Sequence, residues 1–139
     1  LGEIKYTDSE IEYANTILKE TGKELKGLDG TIKPLRPTVP ATGGSTDVGD
    51  VSQVVPVVRL RTTTAAKDGP WHSWAVVACT GMSIGHKGMI YASKALAMTM
   101  LDLYKNPKLI DGVKKEFLVR KGDRVYVPQI PPGPPKLID

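Results

Sequence analysis

An α/β fold is predicted for this chain of 139 residues, because helical and β-type patterns alternate along it. Three segments have the apolar spacing of amphipathic helices, at about 8–21, 86–104 and 107–118. A run rich in β-branched residues at 57–64 predicts a strand, and 75–79 is either a short buried strand or the wall of a loop. Two or three strands are too few for a sheet covered on both faces. We therefore expect either a missed strand, for example around 31–35, or an incomplete domain.

Local start signals support the first and the last of these helices. Thr7 and Glu10 have the spacing of a capping box, with Thr7 at the N-cap and Glu10 as the third helical residue. Gly22 is a suitable stop for that helix. Asn106 and Pro107 have the order of an N-cap followed by a proline at the first helical position. Both helices are expected to pack one apolar face on a core.

The middle helix, predicted at about 86–104, has the widest apolar surface in the sequence. Its face and flanks carry Met89, Tyr91, Ala92, Ala95, Leu96, Met98, Met100 and Leu103. So broad a surface predicts a helix packed on a sheet, with the methionines as core fillers rather than ligands. A shorter helix is expected at 46–53, and Pro56 would end it.

Composition excludes several classes of protein. The apolar content is 40% and the net charge of +4 is scattered, so neither disorder nor a nucleic-acid surface is predicted. No apolar run approaches the roughly 20 residues that span a bilayer, and no apolar leader is visible. Cys79, the single cysteine, is expected to be a buried thiol in a reducing compartment, which favours the cytoplasm.

The two ends of the sequence suggest how the chain is divided. A first domain is predicted over 1–125, and the proline-rich segment 126–139 is expected to be an extended tail. The chain begins with Leu1 rather than methionine, which suggests processing or a longer parent protein.

The segment 43–52 combines glycines, hydroxyls and carboxylates, and it is a candidate site. Glycine lets the backbone come close to a neighbouring group. Ser45 or Thr46 can cap a short helix, and the helix dipole would stabilise Asp47 and Asp50 near its start. The alternative is a glycine-rich turn with ordinary capping, and the segment alone does not decide between the two.

A second candidate is His72, which lies between Trp71 and Trp74 after a predicted turn. The aromatic rings could exclude water, and His72 could offer a neutral imidazole nitrogen to a metal ion. The alternative is a half-buried histidine whose nitrogens are satisfied by backbone carbonyls.

Taken together, three segments resemble the metal-dependent amidohydrolases of the carboxypeptidase G and aminoacylase superfamily. They are the Gly-Ser-Thr-Asp turn of 44–52, the His-Ser-Trp sequence at 72–74, and the Ser-Ile-Gly-His-Lys-Gly sequence that opens 83–92. The segment 94–102 is also similar to the final helix of these enzymes. The resemblance covers about 6–132 and is to the C-terminal part of the family. It implies an incomplete portion of a dimetal aminopeptidase-like α/β catalytic domain.

The resemblance also implies roles for individual residues. His72 matches the terminal metal-ligand histidine of the family. Asp47, with Ser45 and Thr46, matches a turn that lines the active site, which implies that it orients a ligand or contacts the substrate. His86 could contact the substrate or merely cap its helix.

The rest of the family's machinery has no match in the sequence. Its other metal ligands come from a His-X-Asp motif, a Glu and one further carboxylate or histidine, and its general base is a Glu next to a ligand Glu. The chain has neither a His-X-Asp motif nor a Glu-Glu pair. The expectation is therefore a whole protein with two divalent metal ions, usually zinc, and an isolated chain that holds none and is inactive.

The implied activity is hydrolysis of the amide bond in N-acyl or N-aroyl amino acids or dipeptide-like substrates. The expected partners are that small molecule, the upstream part of the same polypeptide and further copies of the chain, with no nucleic acid and no membrane. A free-standing, non-enzymatic oligomerisation or interaction module is the alternative, since a partner could complete the sheet and cover exposed apolar surface.

Overall fold

The regular structure of this protein is helical in the part that the computed structural model describes, which is residues 1–35, 46–128, 130 and 133–134. The helices there are α1 (Asp8–Glu20), α2 (Val48–Val54), α3 (Trp74–Thr80), α4 (Ser83–Lys105) and α5 (Pro107–Lys121). These residues form two units, one of 1–35 and 59–105 and the other of 46–58 together with the residues after 105.

No β-strand occurs among those residues, so the predicted α/β class is not confirmed. The segment 57–64 has the composition of a strand, but the described part of the chain has no strand beside it to pair with. Its last carbonyls accept from side chains instead: Thr63 O from the Tyr6 hydroxyl and Thr64 O from the Thr80 hydroxyl, both at 3.4 Å. The possible strand at 31–35 is likewise not formed.

The segment 75–79 is helical, which corrects both the strand and the loop wall expected for it. Ser73 stands directly before α3, and its hydroxyl oxygen accepts a hydrogen bond from the Ala75 backbone N–H. A serine at the N-cap satisfies a backbone donor that the helix leaves unpaired. This cap gives the apolar, partly β-branched segment a helical start.

The start of α1 forms as the sequence predicts. The Glu10 backbone N–H donates to the Thr7 hydroxyl at 3.3 Å, and the Thr7 backbone N–H donates to the Glu10 carboxylate at 2.7 Å. This reciprocal pair is the capping box. The helix ends at Glu20, and Gly22 follows with a φ of +65°, close to the predicted stop.

The first unit has a small core, in which α3 packs against both α1 and α4. Its buried apolar side chains are Ala14, Ile17, Leu18, Ala66, Ala75, Cys79 and Ile84. Burial of apolar surface is the main stabilising term, at about 25 cal/mol per Å². The core therefore holds together α1, α3, the first turn of α4 and the loop that contains Ala66.

The helix α4 begins at Ser83, three residues before the predicted start, and only Ile84, Gly85 and Gly88 of it are buried. A side chain at Gly88 would collide with the Thr63 carbonyl oxygen, so the loop backbone lies directly against the helix at that point. Half of the apolar side chains predicted to pack on a sheet are exposed, namely Met89, Leu96, Met98 and Met100. Three further large apolar side chains of the helix are exposed as well, Ile90, Leu101 and Tyr104.

The second unit contains α2 and α5, and neither helix has a buried residue. α5 begins at Pro107 after the Asn106 N-cap, as predicted, but the Asn106 side chain makes no capping hydrogen bond. The Tyr126 hydroxyl donates to the Asp50 carboxylate at 2.8 Å. Part of the predicted tail 126–139 lies outside the described residues, and its boundary stays a prediction.

Candidate functional site

The candidate site begins with the turn that precedes α3, where His72 has an unusual backbone conformation. Its φ is +59°, in the left-handed region that side chains with a Cβ rarely adopt. The Ser73 hydroxyl donates to the Pro70 carbonyl oxygen at 2.6 Å, which closes the turn around His72. Strained backbone of this kind persists only where the surrounding structure enforces it, and it is common at functional sites.

The imidazole of His72 is exposed and makes no hydrogen bond or ion pair within the described residues. The alternative of a half-buried histidine satisfied by carbonyls is therefore wrong for this structure. Trp71 and Trp74 are 69% and 55% exposed, so in the described part of the chain they do not enclose the imidazole as expected. Both ring nitrogens are free to meet a ligand.

The loop before His72 is fixed to the body of the first unit. The Lys67 backbone N–H donates to the Gly27 carbonyl oxygen at 2.9 Å. The Lys26 ammonium lies 3.0 Å from the Asp68 carboxylate, and Asp68 itself has a φ of +59°. The turn that carries His72 therefore starts from an anchored backbone.

The turn residues Thr46 and Asp47 lie in the second unit, at the start of α2, and both are exposed. The Thr46 hydroxyl accepts from the Val48 backbone N–H at 3.4 Å, but Thr46 stands one residue before the N-cap, the position predicted for it or for Ser45. Asp47 occupies the N-cap position without a side-chain capping bond, so its carboxylate remains available. Ser45, the third residue predicted for this turn, lies outside the described residues.

His86 is exposed in the first unit and is the fourth residue of α4. Because the helix begins at Ser83, His86 stands inside the first turn and does not cap it. It lines an open cavity of about 450 Å³ together with Lys87, Tyr91 and Lys94. A contact of His86 with substrate stays a prediction.

Beside that cavity lies a buried charge that the sequence did not reveal. Glu10 is 8% exposed, and its carboxylate accepts from the Ser83 hydroxyl and the Lys87 ammonium, each at 2.6 Å. Burial raises the pKa of Glu10, but hydrogen bonds from Lys87, Ser83 and the Thr7 backbone outweigh it and lower the pKa to about 2. The separation of 77 residues between Glu10 and Lys87 leaves no local signal for the pair.

A metal centre is not complete in the part of the chain that the structure describes. No group of three His, Cys, Asp or Glu side chains there could hold an ion. His72 by itself fits one ligand position, since its imidazole is exposed and unpaired, but catalytic zinc sites use about three protein ligands. The described residues therefore do not fit a metal centre without further ligands.

Two curated proteins share sequence with the chain, and their names identify them as a hydrolase and a dipeptidase. The chain is 35% identical over 89 residues to a subunit of the p-aminobenzoyl-glutamate hydrolase of Escherichia coli (strain K12). It is 38% identical over 99 residues to the Xaa-Arg dipeptidase of Mus musculus. The resemblance to the carboxypeptidase G and aminoacylase superfamily is confirmed, and the chain is a relative of these two enzymes.

The matches cover 64% and 71% of this chain but only 18% and 21% of the two relatives. The chain thus spans about a fifth of the length of the curated relatives it matches. No family profile and no solved structure matches it. In the part of the chain described, no helix combines the length and the apolar character that crossing a bilayer requires.

Proposed function

We propose that this chain is the C-terminal segment of the catalytic domain of a metal-dependent amidohydrolase. The whole protein would cleave the amide bond of N-acyl or N-aroyl amino acids, with p-aminobenzoyl-glutamate-like or dipeptide-like molecules as substrates. The similarity to one component of a p-aminobenzoyl-glutamate hydrolase and to a dipeptidase carries this proposal. The free imidazole of His72, held on a strained turn, supports it from the structure.

In this proposal His72 donates an imidazole nitrogen to one of two divalent metal ions, zinc by resemblance to the family. The other ligands and the general base would come from elsewhere in the whole protein, because the chain has no His-X-Asp motif and no Glu-Glu pair. Ser45, Thr46 and Asp47 would orient a ligand or contact the substrate, and His86 would contact the substrate. The upstream part of the polypeptide is then an obligatory partner. The proposed location is the cytoplasm, which an unpaired cysteine favours.

The proposal is tested with p-aminobenzoyl-glutamate and zinc, on both the isolated chain and the whole protein. We expect no turnover by the isolated chain, because one histidine does not hold zinc against water. In the whole protein His72→Ala should abolish hydrolysis and lower the bound zinc. Lys115→Ala is the control, since Lys115 is exposed on α5 and remote in sequence from every proposed site residue.

Two results would contradict this function. Turnover by the isolated chain above that of its His72→Ala variant would show that it carries its own catalytic groups. Full activity of the whole protein after His72→Ala would remove His72 from the reaction.

A second candidate is a non-enzymatic oligomerisation or interaction module. The exposed apolar side chains of α4 beyond Gly88 favour it, because contiguous exposed apolar surface usually marks an interface. Light scattering on the isolated chain tests the module, since a module of this kind should form a defined homo-oligomer. A monomer with cooperative unfolding would count against the module.

A further inference from the structure

We propose that Ser73 is a positioning residue that holds His72 in its left-handed backbone conformation and thereby directs the imidazole. The role of that imidazole as a metal ligand rests on the function proposed above. The effect of Ser73 on the backbone conformation of His72 does not depend on that function. The observation behind the inference is that one hydroxyl makes hydrogen bonds to the backbone on both sides of His72.

The Ser73 hydroxyl makes two hydrogen bonds to the backbone. The hydroxyl donates to the Pro70 carbonyl oxygen at 2.6 Å, two residues before His72. Its oxygen also accepts from the Ala75 backbone N–H at 3.3 Å, where it caps α3. A group that donates and accepts at once is needed for both bonds, and among side chains of this size only serine and threonine hydroxyls supply it.

The conformation of His72 explains why such a bridge is needed. A left-handed backbone is unfavourable for a residue with a Cβ, so it is kept only where neighbouring contacts enforce it. His72 has no hydrogen bond of its own in the described structure that could do so. On its N-terminal side the loop is anchored through Lys67 and Asp68. Ser73 supplies the anchor on the C-terminal side.

Two substitutions separate the bond to Pro70 from the helix cap. Ser73→Asp retains an acceptor for the Ala75 N–H, because aspartate is a good N-cap, but its carboxylate does not donate to the Pro70 oxygen. Ser73→Thr retains both bonds. If the bond to Pro70 positions His72, the aspartate variant should keep α3 and release His72, and the threonine variant should behave as the wild type.

The conformation of His72 is measured by NMR on the isolated, isotope-labelled chain. A positive φ brings the amide proton close to the Hα of the same residue, which gives a strong intraresidue NOE. We expect this NOE to fall in Ser73→Asp to the level of neighbours with negative φ, and to remain in Ser73→Thr. Amide shifts of residues 74–80 report whether α3 is intact. An unchanged NOE in Ser73→Asp with α3 intact would overturn the inference.

The His72→Gly background provides the second measurement, and it applies even where Ser73→Asp alone does not fold. Glycine adopts the left-handed conformation without help, so the enforcing bond is no longer required. Ser73→Asp should therefore lower the melting temperature less in the His72→Gly background than in the wild type. Equal losses in the two backgrounds would contradict a positioning role.

The positioning role of Ser73 and the proposed hydrolase activity can be rejected independently of each other. A loss of the NOE in Ser73→Asp, combined with full hydrolysis by the His72→Ala variant of the whole protein, would keep the positioning role and reject the proposed function. A retained NOE in Ser73→Asp, combined with abolished hydrolysis by the His72→Ala variant, would reject the positioning role and keep the proposed function.

Discussion

The Glu10 carboxylate lies 2.6 Å from the Lys87 ammonium and joins the first turn of α1 to the beginning of α4. The Lys87 ammonium also lies 5.5 Å from the centre of the Tyr6 ring, within range of a cation–π contact. Because Glu10 is buried, the pair works in surroundings where the loss of one partner leaves a poorly solvated charge. We therefore expect this junction to contribute to the response of the first unit to acid, as should Asp29, because hydrogen bonds from threonine and lysine groups also hold the pKa of its carboxyl well below the usual range.

Acid should destabilise the chain through Glu10. Its pKa is lowered from 4.5 to about 2, so the folded state favours the charged carboxylate. The stabilisation, on the order of 3 kcal/mol, is complete above pH 4.5 and is lost as the pH falls toward 2. Urea unfolding at a series of pH values measures this loss. In the Glu10→Gln variant, the free energy of unfolding should depend less on pH in the same range. Identical pH curves for the variant and the wild type would show that Glu10 is not the group responsible.

The contact between α4 and the loop at Thr63 should make Gly88 intolerant of a side chain. A methyl group there would meet the Thr63 carbonyl oxygen and would lie 2.8 Å from the Thr64 methyl carbon. We expect Gly88→Ala to destabilise the first unit by about 1–3 kcal/mol, the usual cost of overpacking. Amide hydrogen exchange in α4 measures it.

Gly112→Ala is the matched control, since Gly112 is also inside a helix but has no atom within 4 Å of the added methyl carbon. There the better helix propensity of alanine should stabilise α5 by roughly 0.5–1 kcal/mol. Similar effects of the two substitutions would show that the loop does not press on Gly88.

Two of the sequence-predicted N-caps, Thr7 and Asn106, should differ in how much they stabilise their helices. The Thr7 hydroxyl accepts from the Glu10 backbone N–H, whereas the Asn106 side chain makes no capping bond. Thr7→Ala should therefore cost about 1 kcal/mol, and Asn106→Ala should cost much less. Hydrogen exchange of the first-turn amides of α1 and α5 reads out each loss. A larger loss at Asn106 would reverse this ranking.

The strain at His72 should be visible as a difference between two variants that both lack the imidazole. His72→Gly relieves the left-handed conformation, while His72→Ala retains a Cβ in it. We expect the glycine variant to be the more stable of the two by about 1 kcal/mol, in spite of the greater freedom of glycine in the unfolded chain. Thermal unfolding of the isolated chain measures the difference, and a more stable alanine variant would indicate that His72 is unstrained.

How far sequence predicts this fold depends on the range of the interaction that forms each element. The start of α1 follows from Thr7, because a cap and its helix are a few residues apart, and the start of α5 follows from Pro107 at its first helical position. The helix α3 escapes prediction, since adjacent β-branched residues favour a strand, although Ser73 before the apolar run is an available N-cap signal. Propensity alone predicts the strand at 57–64, but a strand also requires a neighbour to pair with.

The candidate site shows the same limit. Sequence context and resemblance select His72, and its role as a metal ligand stays a prediction. Its left-handed backbone carries no sequence mark, because that conformation usually signals glycine or asparagine. The partners of Glu10 cannot be predicted from local sequence for another reason, since 73 and 77 residues separate Glu10 from Ser83 and Lys87.

The burial of Cys79 has a consequence for how motions of the first unit can be observed. It is the single cysteine of the chain and its side chain has no exposed surface. Burial raises the pKa of the thiol, opposed in part by a hydrogen bond with the Ala66 backbone, so the reactive thiolate is scarce while the core is closed. Alkylation of Cys79 therefore requires the core around it to open. The rate of labelling by an iodoacetamide reagent consequently reports the population of the open core, without any engineered probe.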